Sequence, residues 1–208
     1  MAHTSARPYR GIEAADRRAD RRARLLNAGL SILGAEARPD ALTVRGVCQV
    51  AAVSARYFYE SFADRDVFVG AVYDWVIAGL TATTQGAVSS APPGEQARAG
   101  MANVVHTIVA DPRVGRLMFS SQLADPVVVR KRDETYALLA ALFGQHVAQL
   151  LRLDQDERAK AAWHFTVGGA GQTLSAWLAG QLALTPDELI DRLASLLDQV
   201  TDPARYRG

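Results

Sequence analysis

One cysteine, Cys48, stands in 208 residues, so no intramolecular disulfide can form. It falls on the apolar side of a short helical pattern. There a thiol behaves as a small inert hydrophobe, because a redox sensor needs an exposed, low-pKa position. Nowhere do 18 apolar residues run together, so no membrane-spanning segment is expected. Met1 to Arg10 lacks the apolar core of a signal peptide, which predicts a cytoplasmic protein. The histidines His3, His106, His146 and His164 are scattered, with no Cys or His partner at metal-ligand spacing. No phosphate-cradling Gly-rich loop, Gly-x-Ser-x-Gly or His-Glu-x-x-His occurs. Gly168-Gly169-Ala170-Gly171 follows no strand pattern and is no dinucleotide fingerprint. No catalytic residue, metal site or cofactor is therefore predicted.

What is present is an ordinary globular composition, 49% apolar and 22% charged. The net charge of +1 hides an asymmetry. Residues 1–65 hold 11 Arg against 7 acidic residues, a net of +4, whereas residues 66–208 hold 12 basic and 15 acidic, a net of −3. The densest run is Arg17, Arg18, Arg21, Arg22 and Arg24. It reads either as a solvated helix start, partly offset by Asp16 and Asp20, or as a phosphate-facing surface. Before it, Arg7-Pro8-Tyr9-Arg10 reads either as a basic arm for a minor groove or as a free tail.

Thr43 to Val69, TVRGVCQVAAVSARYFYESFADRDVFV, carries the strongest signal. Thr43 is a good N-cap for a short helix with Val44, Val47, Cys48 and Val50 on its inner face. Ala51-Ala52-Val53 breaks it. Ser54 can cap a second helix over Ala55 to Ser61, and Asp64 a third with Phe68 and Val72 inward. Phe58 and Phe62 lie four apart and should face the core. Tyr57, Phe58, Tyr59 and Phe62 can also be read as an aromatic core patch, which explains Phe58 and Phe62 but not why Arg56, Tyr57 and Tyr59 share the remaining face. Arg can fork onto guanine O6 and N7 or hold a phosphate, and Tyr suits a phosphate oxygen or a thymine methyl. This is the pattern of a helix-turn-helix that reads double-stranded DNA. Thr43, Arg45, Ser54, Ala55, Arg56, Tyr57, Tyr59, Arg65 and Arg22 are its candidate contacts.

These residues also carry a resemblance. From Arg22 to about Tyr73 the chain is similar to the N-terminal domain of the tetracycline-repressor (TetR) family of bacterial regulators. The pattern is Leu26, Ala28, Leu30 and Ile32, then Ala41-Leu42-Thr43-Val44-Arg45, Ala51, Val53-Ser54, Tyr59, Phe62 and an apolar helix from Val67. The chain departs from it at Ala52, where the family usually has Gly. It departs again at Arg56-Tyr57, where small residues are common, and at Arg65-Asp66, where Lys-Glu is common. The resemblance implies a homodimeric regulator with an effector pocket in its C-terminal domain.

The remainder reads as helices with clear punctuation. A helix from Asp64 toward Ala87 should join the two halves, and Pro92-Pro93-Gly94 breaks the chain after it. Gln96 to Ala110 follows. Asp111-Pro112 and Asp125-Pro126 each pair an N-cap with Pro at the first helical position. Asp154 to Glu157 and Thr185 to Glu188 have capping-box spacing and start the last two helices. With no alternating strand pattern and no repeat, an all-α protein of about nine helices is expected. Its predicted divisions are an arm and helix start over 1–21, a DNA-binding domain over 22–70, a C-terminal domain over 71–202 and a tail over 203–208.

The penultimate helix holds three interior glycines, each costing roughly 1 kcal/mol against Ala. A smooth face of Gly168, Gly169, Gly171 and Ala176 beside an apolar stripe of Leu189, Leu193 and Leu196 predicts a surface that pairs with its own copy. The alternatives are a neighbouring helix within one subunit, or space for a ligand. His106, Phe119, Tyr136, Phe143, Trp163, His164 and Gln172 are candidates to line a pocket for a small, largely apolar effector, or else belong to ordinary core. The expected function is a repressor released from a palindromic operator by that effector. An activator or architectural protein without an effector, and a helical enzyme or interaction module with a vestigial helix-turn-helix, stay open.

Overall fold

The computed structural model describes residues 9–36, 42–151 and 156–200. Among them are nine α-helices and no strand, as the punctuation predicts. They are α1 (Tyr9–Leu33), α2 (Val44–Ala51), α3 (Ala55–Ser61), α4 (Arg65–Ser90), α5 (Gln96–Ala110), α6 (Pro112–Phe119), α7 (Pro126–Leu151), α8 (Glu157–Leu178) and α9 (Pro186–Val200).

Caps fix most of the starts. The Thr43 hydroxyl accepts from the Gly46 N–H at 3.1 Å, and an Asp64 carboxylate oxygen accepts from Val67 N–H at 2.8 Å. Asp111 and Asp125 accept from the N–H of Arg113 and Val127, each with proline as the first helical residue. Thr185 and Glu188 form a reciprocal capping box. The start of α8 differs from expectation. Asp156 is its N-cap, accepting from Ala159 N–H at 2.8 Å, and Asp154 lies outside the described residues.

Three clusters form the core. The largest joins α1 to α4 with α6 and the start of α7, through Leu25, Val47, Phe58, Phe68, Val72, Leu117 and Val128 among others. The predicted division at 70/71 therefore falls inside α4, with Val72, Tyr73 and Val76 in the same cluster as the first three helices. Val50 departs from its expected inward place and is 58% exposed, while Ala51 is buried. A second cluster joins α5, α8 and α9, and a third seats Trp163 of α8 against α7. α4 is long and apolar enough to cross a membrane by length and composition, with a mean hydropathy of 1.4 over its best window. Four helices, α1, α5, α6 and α7, pack against it.

α7 and α8 interlock by two notches. A Cβ on Gly144 of α7 would stand 2.4 Å from the Trp163 ring of α8, and one on Gly171 of α8 would stand 2.5 Å from the Tyr136 ring of α7. Each helix thus lodges an aromatic ring where the other has no side chain. Arg132 of α7 does a different job. Its guanidinium donates to the carbonyls of Arg116, Leu117, Ser120 and Leu123, closing the C-terminal end of α6. Burial lowers its pKa, and the nearby Tyr73 and Tyr136 hydroxyls oppose that shift.

Two predictions follow from this packing. Ala52, after α2, sits at φ 50° and ψ 49°, a left-handed conformation that costs an L-residue about 1–2 kcal/mol. Ala52→Gly is expected to raise stability by about 1 kcal/mol, read from the urea midpoint with an unchanged slope. Burial also pushes the Tyr73 hydroxyl from 10.0 up to about 12. Because the folded-state pKa lies above the unfolded one, this contribution is intact below pH 10 and drains away as pH rises through 12. Denaturation curves taken across that window should show a fall that Tyr73→Phe lessens.

Candidate nucleic-acid interface

α3 is built around one buried ring. Phe58 is fully buried, 5.1 Å from Phe68 and 5.6 Å from Phe62 between ring centroids. At about 100° per residue, the side of the helix opposite Phe58 carries Arg56 and Glu60, with Tyr57 and Tyr59 on its flanks. Arg56 has 84% of its side chain exposed, and Tyr59 is 59% and Tyr57 38% exposed. The Tyr59 ring meets Phe58 edge-on at 5.4 Å. Thr43, Arg45, Ser54 and Ala55 are exposed around the same two helices.

α1 adds its basic run to this face. The Arg21 guanidinium lies over the Tyr57 ring at 4.3 Å, and that of Arg22 over the Phe62 ring at 4.5 Å. Arg17 and Arg18 are exposed one turn earlier. Neither ring pairing is visible in the sequence, where Arg21 stands 36 residues from Tyr57. The arm with Arg7 lies outside the described residues, as does the Arg10 side chain.

Two arginines of the basic set serve the fold instead. Arg24 donates to the carbonyls of Ala51 and Ala52 at 2.6–3.1 Å, capping the C-terminal end of α2. Arg65, a predicted DNA contact, is corrected to a structural tie. It donates to the Leu42 carbonyl at 3.2 Å and to the carboxylates of Asp66 and Asp125. Burial alone would lower its pKa, but the bonds to Asp125 and Asp66 outweigh that and raise it. A guanidinium so engaged has little left for a phosphate.

The predicted effector residues are not brought together. His106, His164 and Gln172 are exposed on the outer sides of α5 and α8. Tyr136 fills the Gly171 notch, while Phe143 stacks edge-on against Trp163 at 5.7 Å. Phe119 packs between two of the core clusters. Side-chain periodicity placed these residues on helices, but the neighbours of each helix decide which way they point. Open space lies elsewhere. A cleft of about 350 Å³ runs between the end of α1 (Leu33, Ala35, Glu36), α6 and the turn after it (Arg116, Ser120 to Leu123), and the end of α8 (Ser175, Leu178, Ala179). Beside it, α6 grips α1. Arg113 donates to the Ser31 hydroxyl at 2.7 Å and to the Asn27 side-chain oxygen at 3.5 Å, and Arg116 to the Gly34 carbonyl at 2.9 Å. Arg113 also bonds Asp111 and holds its carboxyl below the usual range.

The predicted pairing surface divides in two. Beyond their own stretch of helix backbone, Gly168 and Gly169 have no atom within 4 Å of where a Cβ would stand, and Leu196 is 40% exposed. Gly171 is corrected to an intrasubunit contact by its Tyr136 neighbour. Leu189 and Leu193 are buried in the core with Val105 and Ile108, so they too belong inside the subunit. Ala176 is half-buried. Phe165, 80% exposed on α8, belongs to the outward surface and was not foreseen.

Solved structures share this architecture. The fatty acid degradation regulator FadR from Bacillus halodurans aligns with a TM-score of 0.67 at 13% sequence identity, covering 84% of this chain and 96% of that one. FadR from Bacillus subtilis, solved in complex with stearoyl-CoA, gives 0.65 at 11% identity over 84% of this chain and 96% of its own. A TetR-like transcriptional regulator from Rhodococcus sp. RHA1 gives 0.62 at 17% identity over 86% and 94% respectively. No protein-family model matches the sequence, and no curated protein does. The fold is thus the one found in TetR-like regulators.

The two kinds of arginine should separate on mutation. Arg24→Ala leaves the end carbonyls of α2 uncapped and is expected to cost about 1–2 kcal/mol of stability. Arg56→Ala should stay within about 0.5 kcal/mol of wild type. Chemical denaturation of both variants reads the difference.

Proposed function

We propose that this chain is a DNA-binding transcriptional regulator, a repressor that acts as a homodimer on a near-palindromic operator and is released by a small-molecule effector. The observation that carries the reading is the outward face of α3. Arg56, Tyr57 and Tyr59 stand exposed on a helix whose other side is fixed by Phe58. Rigidly seated donors of this kind suit base edges and phosphates in a major groove. The net charge of +4 on residues 1–65 supplies the sequence-independent attraction, and Arg21 and Arg22 bring part of it beside α3. The likeness of fold to solved transcriptional regulators supports the same conclusion.

A second half-site needs a second copy. Phe165, Gly168 and Gly169 on α8, with Leu196 on α9, form the proposed pairing surface. An exposed aromatic next to glycines that leave room for another backbone fits a close helix crossing. For the effector, the cleft between α1, α6 and α8 is the proposed entry. Its volume lies in the range of small-molecule sites. Its walls include the end of α1, so an occupant touches the DNA-binding half directly. A ligand that prefers one arrangement of α1 and α6 shifts the population of the other.

Arg56→Ala and Tyr57→Ala are each expected to weaken binding to a specific duplex by about 1–3 kcal/mol while the helical circular-dichroism spectrum stays unchanged. Unaltered titrations on both specific and random duplexes would remove these residues from the interface.

The glycines give a sharper contrast. Gly169→Leu should abolish dimers yet leave the subunit folded. Gly171→Leu should instead destabilise each subunit by about 1–3 kcal/mol, because the new side chain collides with Tyr136. Sedimentation and thermal melts distinguish the two, and a wild-type monomer at micromolar concentration would overturn the pairing surface.

A further inference from the structure

An acid sits where a DNA-facing helix has no evident use for one. Glu60 lies beside Arg56 on the side of α3 opposite Phe58, with 42% of its side chain exposed. Phosphates repel a carboxylate there, and an exposed ion pair one helical turn apart contributes little to stability. Its geometry is specific, however. Glu60 Oε1 accepts from the Nε of Arg56 at 3.0 Å. Among the described residues, the two terminal guanidinium nitrogens of Arg56 have no hydrogen-bond partner, and those two can form a fork to guanine O6 and N7.

We propose that Arg56 and Glu60 read base pairs as one unit. Glu60 fixes the guanidinium through Nε, and Arg56 presents its two terminal nitrogens to a guanine. The second carboxylate oxygen of Glu60 accepts from the N4 amino group of a cytosine alongside. Guanine and thymine would set a carbonyl against that oxygen, and adenine places its N7 acceptor next to its amino group, so cytosine is preferred. The acid also weakens binding to every other sequence through its charge, which widens the gap between specific and random DNA. Glu60 is thus a specificity-determining residue, acting partly on its own and partly by positioning Arg56. The inference rests on the DNA-binding reading above.

The test is selection from a randomised duplex library by the full-length chain, followed by titration of the selected duplex and its single-base variants. The wild type is expected to select half-sites with a guanine and a neighbouring cytosine. Arg56→Lys, which keeps the charge and loses the fork, should lower the preference for that guanine by roughly 5- to 150-fold, the range of one good bidentate contact. Glu60→Gln should relax the choice at the cytosine, loosen the choice at the guanine and raise affinity for random duplexes. Thermal melts should match wild type, since both side chains are exposed. If Glu60→Gln selects the same sequences as wild type, or gains affinity equally for all of them, the paired reading is overturned. Half-sites that lack guanine overturn it as well. A wild-type chain that selects no sequence at all overturns the DNA-binding reading itself, a result distinct from either of these.

Discussion

A helix of seven residues does not hold its shape in water, where even favourable sequences need about 12–15 residues. α3 exists because Phe58 is driven into the space between Phe62 and Phe68, all three rings lying about 5–6 Å apart. Each fully buried ring contributes roughly 1.5–3 kcal/mol. That single anchoring decides everything else α3 can do. With Phe58 pinned, Arg56 and Glu60 have only one direction to face, and Tyr57 comes within reach of Arg21. The outward surface is fixed by what is inward.

The same economy governs how the first helices meet those that follow. One core cluster is continuous over α1 to α4, α6 and the start of α7, so apolar packing alone does not define a hinge. Directional ties between these elements come from a set of guanidinium groups. Arg65 ties the start of α4 to the Leu42 carbonyl and to the cap of α7, while Arg113 and Arg116 tie α6 to the last turn and end of α1. Carbonyl, hydroxyl and carboxylate partners give such contacts direction, whereas methyl groups packed on methyl groups would slide. The cleft beside α1 is bordered by one of these ties, that of Arg116.

Much of this was legible in the residue order, for physical reasons that differ by element. Asp-Pro at 111–112 and 125–126 and the Thr185–Glu188 box announce helix starts because their hydrogen bonds are local. The inward side of α3 was legible because Phe58 and Phe62 lie one turn apart. The cap of α8 was misplaced by two residues, since Asp154 and Asp156 offer the same carboxylate. What long side chains reach was not legible: Arg24 and Arg65 find partners 27 and 60 residues away. Nor does composition say which of Gly169 and Gly171 meets a neighbour, because that depends on how α8 is rotated against α7. An apolar stripe such as Leu189 and Leu193 suits a core and an interface equally well. The dispersal of His106, His164 and Gln172 has the same origin.

The closure of α6 by Arg132 has a mechanical consequence. Four carbonyls at the end of that helix and in the turn after it converge on one guanidinium, so the helix cannot readily lengthen, fray or unwind at that end. Its other end holds Arg113 against α1. A body fixed at one end and gripping at the other is a rigid rod on a pivot. With eight residues α6 is only about 12 Å long, so a tilt of about 10° carries its free end by roughly 2 Å. A movement of that size is more than a 2.7 Å hydrogen bond to Ser31 can stretch to follow. α1 must then either travel with the rod or let go of it.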